Sequence, residues 1–115
     1  HRIRQPFNVN SLAQAAAAAA LDDHGFLSAS LNITHQGIDY LQDELASMGI
    51  TVFPTEANFF MMDIKRDANQ VFQALLGEGI IARSMKSYGF PTYLRISAGM
   101  PEENRAFIDA LKKVL

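Results

Sequence analysis

The chain has 115 residues, 49% of them apolar, and a formal net charge of -2. That is enough for one domain with a hydrophobic core, and it lacks the excess of positive charge that nucleic acid or an acidic membrane surface calls for. With no cysteine, disulfides and thiolate metal sites are excluded; no apolar run reaches a membrane span, and the opening HRIRQPFNVN is not a signal peptide.

The chain opens on His1 rather than on methionine, a start expected of a fragment. Residues 1–10 read as an extended, turn-rich lead-in, because Pro6 disfavours helix at Gln5. Asn10 or Ser11 caps a helix through about Leu21 that contains six consecutive alanines, Ala15 to Ala20. So smooth a helix is expected to pack closely against a neighbour. Asp22-Asp23-His24-Gly25 ends it. A long amphipathic helix follows from about Leu27 to Met48, with apolar positions 27, 31, 38, 41, 45 and 48 forming one stripe and Gly49 at its C-terminal end.

Ile50 to Pro54 reads as a short strand stopped by proline, and Asn58 to Ile64, apolar on both faces, as a central strand. Asn58 is its polar exception. A buried asparagine there is either a clip for nearby backbone or a ligand contact. Asp67 and Gln70 have the spacing of a reciprocal cap for a helix burying Val71, Phe72, Leu75 and Leu76. Two strands come next, Ile80–Ala82 and Tyr93–Ser97, joined by a polar connection. The last helix starts at Pro101, with Glu102 and Glu103 in its first turn, Lys112 and Lys113 in its last, and Phe107, Ile108, Leu111 and Val114 inward. The expected class is α+β: a small antiparallel or mixed sheet covered by helices on one side, preceded by a long amphipathic helix.

The second of the paired strands alternates, with Leu94, Ile96 and Ala98 on one face and Tyr93, Arg95 and Ser97 on the other. Arg95 and Arg83 therefore stand out, with Asn58, Tyr88 and Tyr93 as neighbours. Their bland reading is a solvated face or an ion pair. Their functional reading is a grip on a carboxylate or phosphate, which the planar guanidinium fork suits. Two guanidiniums at one mouth repel unless an anion lies between them, so a ligand with two anionic groups would satisfy both. No histidine or carboxylate spacing suggests a metal site, and no nucleophile elbow or phosphate loop is present. No catalytic, cofactor-binding or metal-ligating residue is assigned.

The segments RQPFNVNSLAQAAAAAAL, PTEANFF, GIIARSMKSYGFPTYLRISAG and PEENRAFIDAL together resemble the C-terminal third of the histidinol-phosphate aminotransferases. These are homodimeric pyridoxal-phosphate (PLP) enzymes of fold type I. The resemblance implies residues 1–25 as interdomain lead-in and helix, and 26–115 as the small C-terminal domain. It implies Arg95 as the holder of the substrate carboxylate, Arg83 as a phosphate ligand, and Asn58 as a residue shaping the same mouth. It also implies cytoplasmic histidine biosynthesis, with histidinol phosphate and glutamate or 2-oxoglutarate as substrates. Lys65, Lys86, Lys112 and Lys113 do not match the motif of the PLP-anchoring lysine, so the chain alone is expected to be inactive. Met100 and Glu56 depart from the family's usual residues. The alternatives are a related aminotransferase or threonine-phosphate decarboxylase of the same fold, and a stand-alone α+β domain that binds anions or amino acids as a regulatory module.

Overall fold

A computed structural model describes residues 9–115. The lead-in through Asn8, including Arg4 and Pro6, lies outside the described residues. The chain divides into two compact units, His1–Asn32 and Ile33–Leu115, with the boundary inside a helix.

The first unit holds α1 (Ser11–Asp22) and the start of α2 (His24–Ser47). Asn10 caps α1 as its side chain type predicts, the carboxamide oxygen accepting from the Ala13 N–H at 2.8 Å. The break between the helices is shorter than the four residues expected. Asp23 alone makes it, because its N–H bonds back to the Ala20 carbonyl while its carboxylate caps Phe26 of the next helix. The expectation that the alanine helix packs tightly is corrected: no residue of α1 is buried.

In the second unit, the rest of α2 packs with β1 (Thr51–Val52), β2 (Phe59–Asp63), α3 (Ala68–Gly77), β3 (Arg83–Ser84), β4 (Tyr93–Ser97) and α4 (Pro101–Val114). The four strands form one antiparallel sheet in the order β1-β2-β4-β3. Phe60 opposes Ile96 and Met62 opposes Leu94. All four are buried, against Leu41 and Leu45 of α2, Val71 and Leu75 of α3, and Ile108 and Leu111 of α4. Full burial of a side chain of this size is worth about 1.5–3 kcal/mol. The alternate residues Phe59, Met61, Tyr93 and Arg95 occupy the other face and stay partly open to solvent.

β4 runs over the residues the alternation predicts. β3 does not. The residues that pair are Arg83 and Ser84, while 80–82 leave the sheet. Ala82 is nonetheless buried and Ile80 packs on the core, with Ile81 turned to solvent. The apolar pattern therefore reports burial there and not pairing. β1 is likewise shorter than 50–54, although the Phe53 N–H still reaches the Met61 carbonyl at 2.9 Å. On α2 the stripe is continuous, but only its second half is buried; Leu27 and Leu31 are about half exposed. Leu76, expected inside, is exposed.

Candidate anion-binding site

The register of β3 on β4 places Arg83 directly opposite Arg95. Directly opposed residues of an antiparallel pair share a face, with Cβ atoms about 5 Å apart, and like charges in that position are destabilising. Opposite charge from the protein would relieve this, yet none is supplied. The four ion pairs among the described residues are Lys65–Asp63, Lys86–Asp67, Lys112–Glu44 and Lys113–Glu78. Residues 1–8 contain no acidic side chain.

What each arginine does have is an aromatic ring. The Arg95 guanidinium carbon lies 4.9 Å from the centroid of Phe59, and that of Arg83 lies 5.4 Å from Tyr88. Such contacts are worth about 0.5–1 kcal/mol when exposed and leave the edge donors free. Arg83 Nη2 also donates to the Tyr88 hydroxyl at 2.5 Å. Tyr88 is carried there by a single 3₁₀ turn, Lys86–Tyr88, closed by Gly89 at φ +87°, a conformation that glycine adopts without a Cβ penalty. Lys86 ties this turn to Asp67 at the start of α3, and Ser84 Oγ donates to Asn69 Oδ1 at 2.6 Å.

Because β3 pairs for only two residues, a groove of 780 Å³ opens between the 79–82 segment, the end of β4 and α4. Arg83, Arg95, Ser97, Glu103 and Asn104 contribute to its lining. Glu103 is already engaged, its carboxylate accepting from the Met100 N–H at 2.7 Å, the half of a capping box that needs no hydroxyl at position 100. Asn104 is buried, with Oδ1 accepting from the Gly99 N–H at 2.9 Å and Nδ2 donating to the Gly99 carbonyl at 3.1 Å. Gly37 of α2 approaches so closely that a Cβ there would lie 2.8 Å from Asn104 Nδ2. A buried amide thus closes the β4–α4 turn two residues beyond the strand that carries Arg95.

Asn58 is not brought into this groove. It is exposed, not buried, because it lies in the bend before β2; its carbonyl accepts from the Ala98 N–H at 2.9 Å. Tyr93 packs with Phe53 and Phe90 instead of with the arginines. Asn104 is the residue that the sequence pattern does not single out. Its spacing to Phe107, Ile108 and Leu111 puts it on the inward face of α4, which is the signal that a polar residue is buried there.

No group of three His, Asp or Glu residues among those described could hold a metal ion. The lysines do not suit PLP either. All four are hydrogen-bonded to carboxylates, and those bonds to Asp63, Glu44 and Glu78 raise Lys65, Lys112 and Lys113 above the ordinary amine value. A carbonyl-capturing lysine needs the opposite shift. The same hydrogen bond from Lys65 holds the Asp63 carboxyl below its ordinary range.

The antiparallel sheet sets the two guanidiniums side by side with no carboxylate paired to either among the described residues, and relatives of the chain share this fold. The chain belongs to the Aminotransferase class I and II family, which matches residues 1–111. It is 52% identical over 115 residues to Histidinol-phosphate aminotransferase 2 of Pseudomonas aeruginosa, covering 100% of this chain and 31% of that protein. With the histidinol-phosphate aminotransferase of Moorella thermoacetica the identity is 44% over 115 residues, 30% of that protein. The crystal structure of the enzyme of that name from Clostridium acetobutylicum superimposes with a TM-score of 0.83 at 27% identity, covering 98% of this chain and 35% of that one. The chain therefore spans about a third of the length of the relatives it matches.

Proposed function

We propose that the chain is the small C-terminal domain, residues 26–115 with a lead-in over 1–25, of a PLP-dependent histidinol-phosphate aminotransferase, and that Arg83 and Arg95 bind the anionic groups of its substrates. The observation that carries this reading is the cross-strand arginine pair without a carboxylate partner. Transfer of an amino group between histidinol phosphate and 2-oxoglutarate requires one mouth to accept a phosphate in one half-reaction and a carboxylate in the other. Two guanidinium forks meet both demands, since each presents parallel N–H donors to either oxyanion. Aromatic packing holds both forks in place before a ligand arrives, which lowers the ordering cost of binding. Asn58 lies outside the arginine groove, so its part in the site is limited to the backbone bond by which it holds Ala98 beyond the end of the Arg95 strand.

PLP supplies the amino-carrying chemistry when bound. None of the four lysines here is fitted to hold it, so its attachment is assigned to parts of the enzyme beyond these 115 residues, and the isolated chain is expected to be inactive. Homodimerisation and a cytoplasmic location follow from the same reading. No helix among the described residues is long and apolar enough to cross a membrane.

The test is an assay of the complete enzyme with phosphorylated and non-phosphorylated amino donors. Histidinol phosphate is expected to be the preferred donor. Arg95→Lys should lower kcat/KM about a hundredfold, the loss expected when paired charge-assisted bonds give way to a single point charge. Unchanged kcat/KM in that variant, or preference for non-phosphorylated donors, would overturn the assignment. The second of these outcomes favours another aminotransferase of the same fold.

A further inference from the structure

We infer that Tyr88 is a specificity-determining residue of the arginine site, the third arm that selects a tetrahedral phosphate over a planar carboxylate. This rests on reading Arg83 and Arg95 as an anion site. The phenol oxygen accepts from Arg83 Nη2 at 2.5 Å and makes no other hydrogen bond among the described residues. Its own proton is therefore uncommitted. An oxygen that accepts from a cation is polarised and becomes a better donor. The hydroxyl rotates freely among directions away from the guanidinium hydrogens, so its proton is available to an acceptor held beside Arg83. A donor, a cation and an aromatic face are thus assembled at one point on the surface.

The geometry of the two anions then decides. A carboxylate paired with the Arg83 fork turns both oxygens toward that fork. A phosphate monoester paired in the same way has a third terminal oxygen directed off the fork, and the hydroxyl takes that one. Tyr88 is placed for that contact by local structure alone. The 3₁₀ turn is closed by the Tyr88 N–H to Met85 carbonyl bond at 3.0 Å and anchored by Met85 N–H to the Tyr93 carbonyl at 3.0 Å. The side chain is 55% exposed, so it fills no part of the core.

Tyr88→Phe removes the hydroxyl and keeps the ring over Arg83, which isolates the proposed donor from the cation–π contact. The experiment is an NMR titration of the 115-residue chain and its Tyr88→Phe variant with inorganic phosphate and, separately, glutarate, at constant ionic strength. The expected result is about tenfold weaker phosphate binding in the variant, the cost of one charge-assisted bond, with glutarate affinity within about twofold of the parent. Phosphate bound equally by both chains would overturn the role of Tyr88 and leave the anion site standing. An equal loss for both anions would make Tyr88 only a prop for Arg83, and would also overturn the proposal. Failure of the parent chain to bind either anion would overturn the anion site itself and Tyr88 with it.

Discussion

Asn104 shows how much a single polar side chain can decide in a small core. Its two bonds to Gly99 satisfy both backbone groups of a residue that is itself half-buried. Replacing it with alanine leaves a donor and an acceptor unpaired beside α2, where the close approach of Gly37 leaves little room for water. Asn104→Ala is expected to cost about 2–4 kcal/mol, measured as a lower midpoint of urea unfolding with an unchanged slope. An unchanged midpoint would mean that the turn is held by Glu103 alone. Arg95, by contrast, is legible from residue order alone, since the alternation of Tyr93–Ser97 places it off the core face. Its position opposite Arg83 is not. Cross-strand register depends on where β3 begins, and the apolar run 80–82 marks the wrong residues. Asn58 departs from expectation for a related reason: it follows the parity of buried neighbours, but the chain bends before the sheet covers it.

At the scale of elements, helices are the more legible part because each carries its own end signals. Asp67 is the clearest. Its carboxylate accepts from the Asn69 and Gln70 N–H groups at 3.0 and 3.1 Å, the backbone half of the expected reciprocal cap. It also takes Lys86 from the loop that positions Tyr88. The Lys86 bond, helped by those amides, holds the Asp67 carboxyl below its ordinary value of 3.8. A lowered folded value means that the ionised cap stabilises the fold above pH 3.8 and that this contribution is lost as pH falls through the lower folded value. Asp67→Ala should lower Tm by a few degrees at neutral pH, and the gap from the parent chain should close in acid. A gap that persists below the folded value would show that the side chain acts through packing. Lys86→Ala is expected to do less, because the pair is partly exposed and screened by solvent. The strands lack comparable signals. Two-residue strands such as β1 and β3 are set by the partner they lie against, and that partner is distant in sequence.

At the scale of the whole molecule, the notable feature is apolar surface left without cover. Phe26, Leu27, Leu31 and Ile33 of α2 are exposed, at 66%, 49%, 48% and 37%. The periodicity of the helix predicts one buried stripe from end to end, and the sequence cannot say which chain segments supply the cover. The alanine helix presents the same problem, since nothing among the described residues buries it. Side chains of this size clustered along one helix seek apolar partners. The 115-residue chain is accordingly expected to self-associate, with a mean mass in sedimentation equilibrium that rises with concentration. Replacing Leu27 and Leu31 together with glutamate should return it to the monomer. It should leave the unfolding midpoint nearly unchanged, because neither side chain belongs to the buried cluster of Leu41, Leu45, Phe60 and Met62. A parent chain that stays monomeric at high concentration would refute this, and so would a double variant that associates as strongly as the parent. The core needed to fold is complete within the second unit, and the uncovered stripe on α2 is surplus to it, available for contact with whatever apolar surface is present.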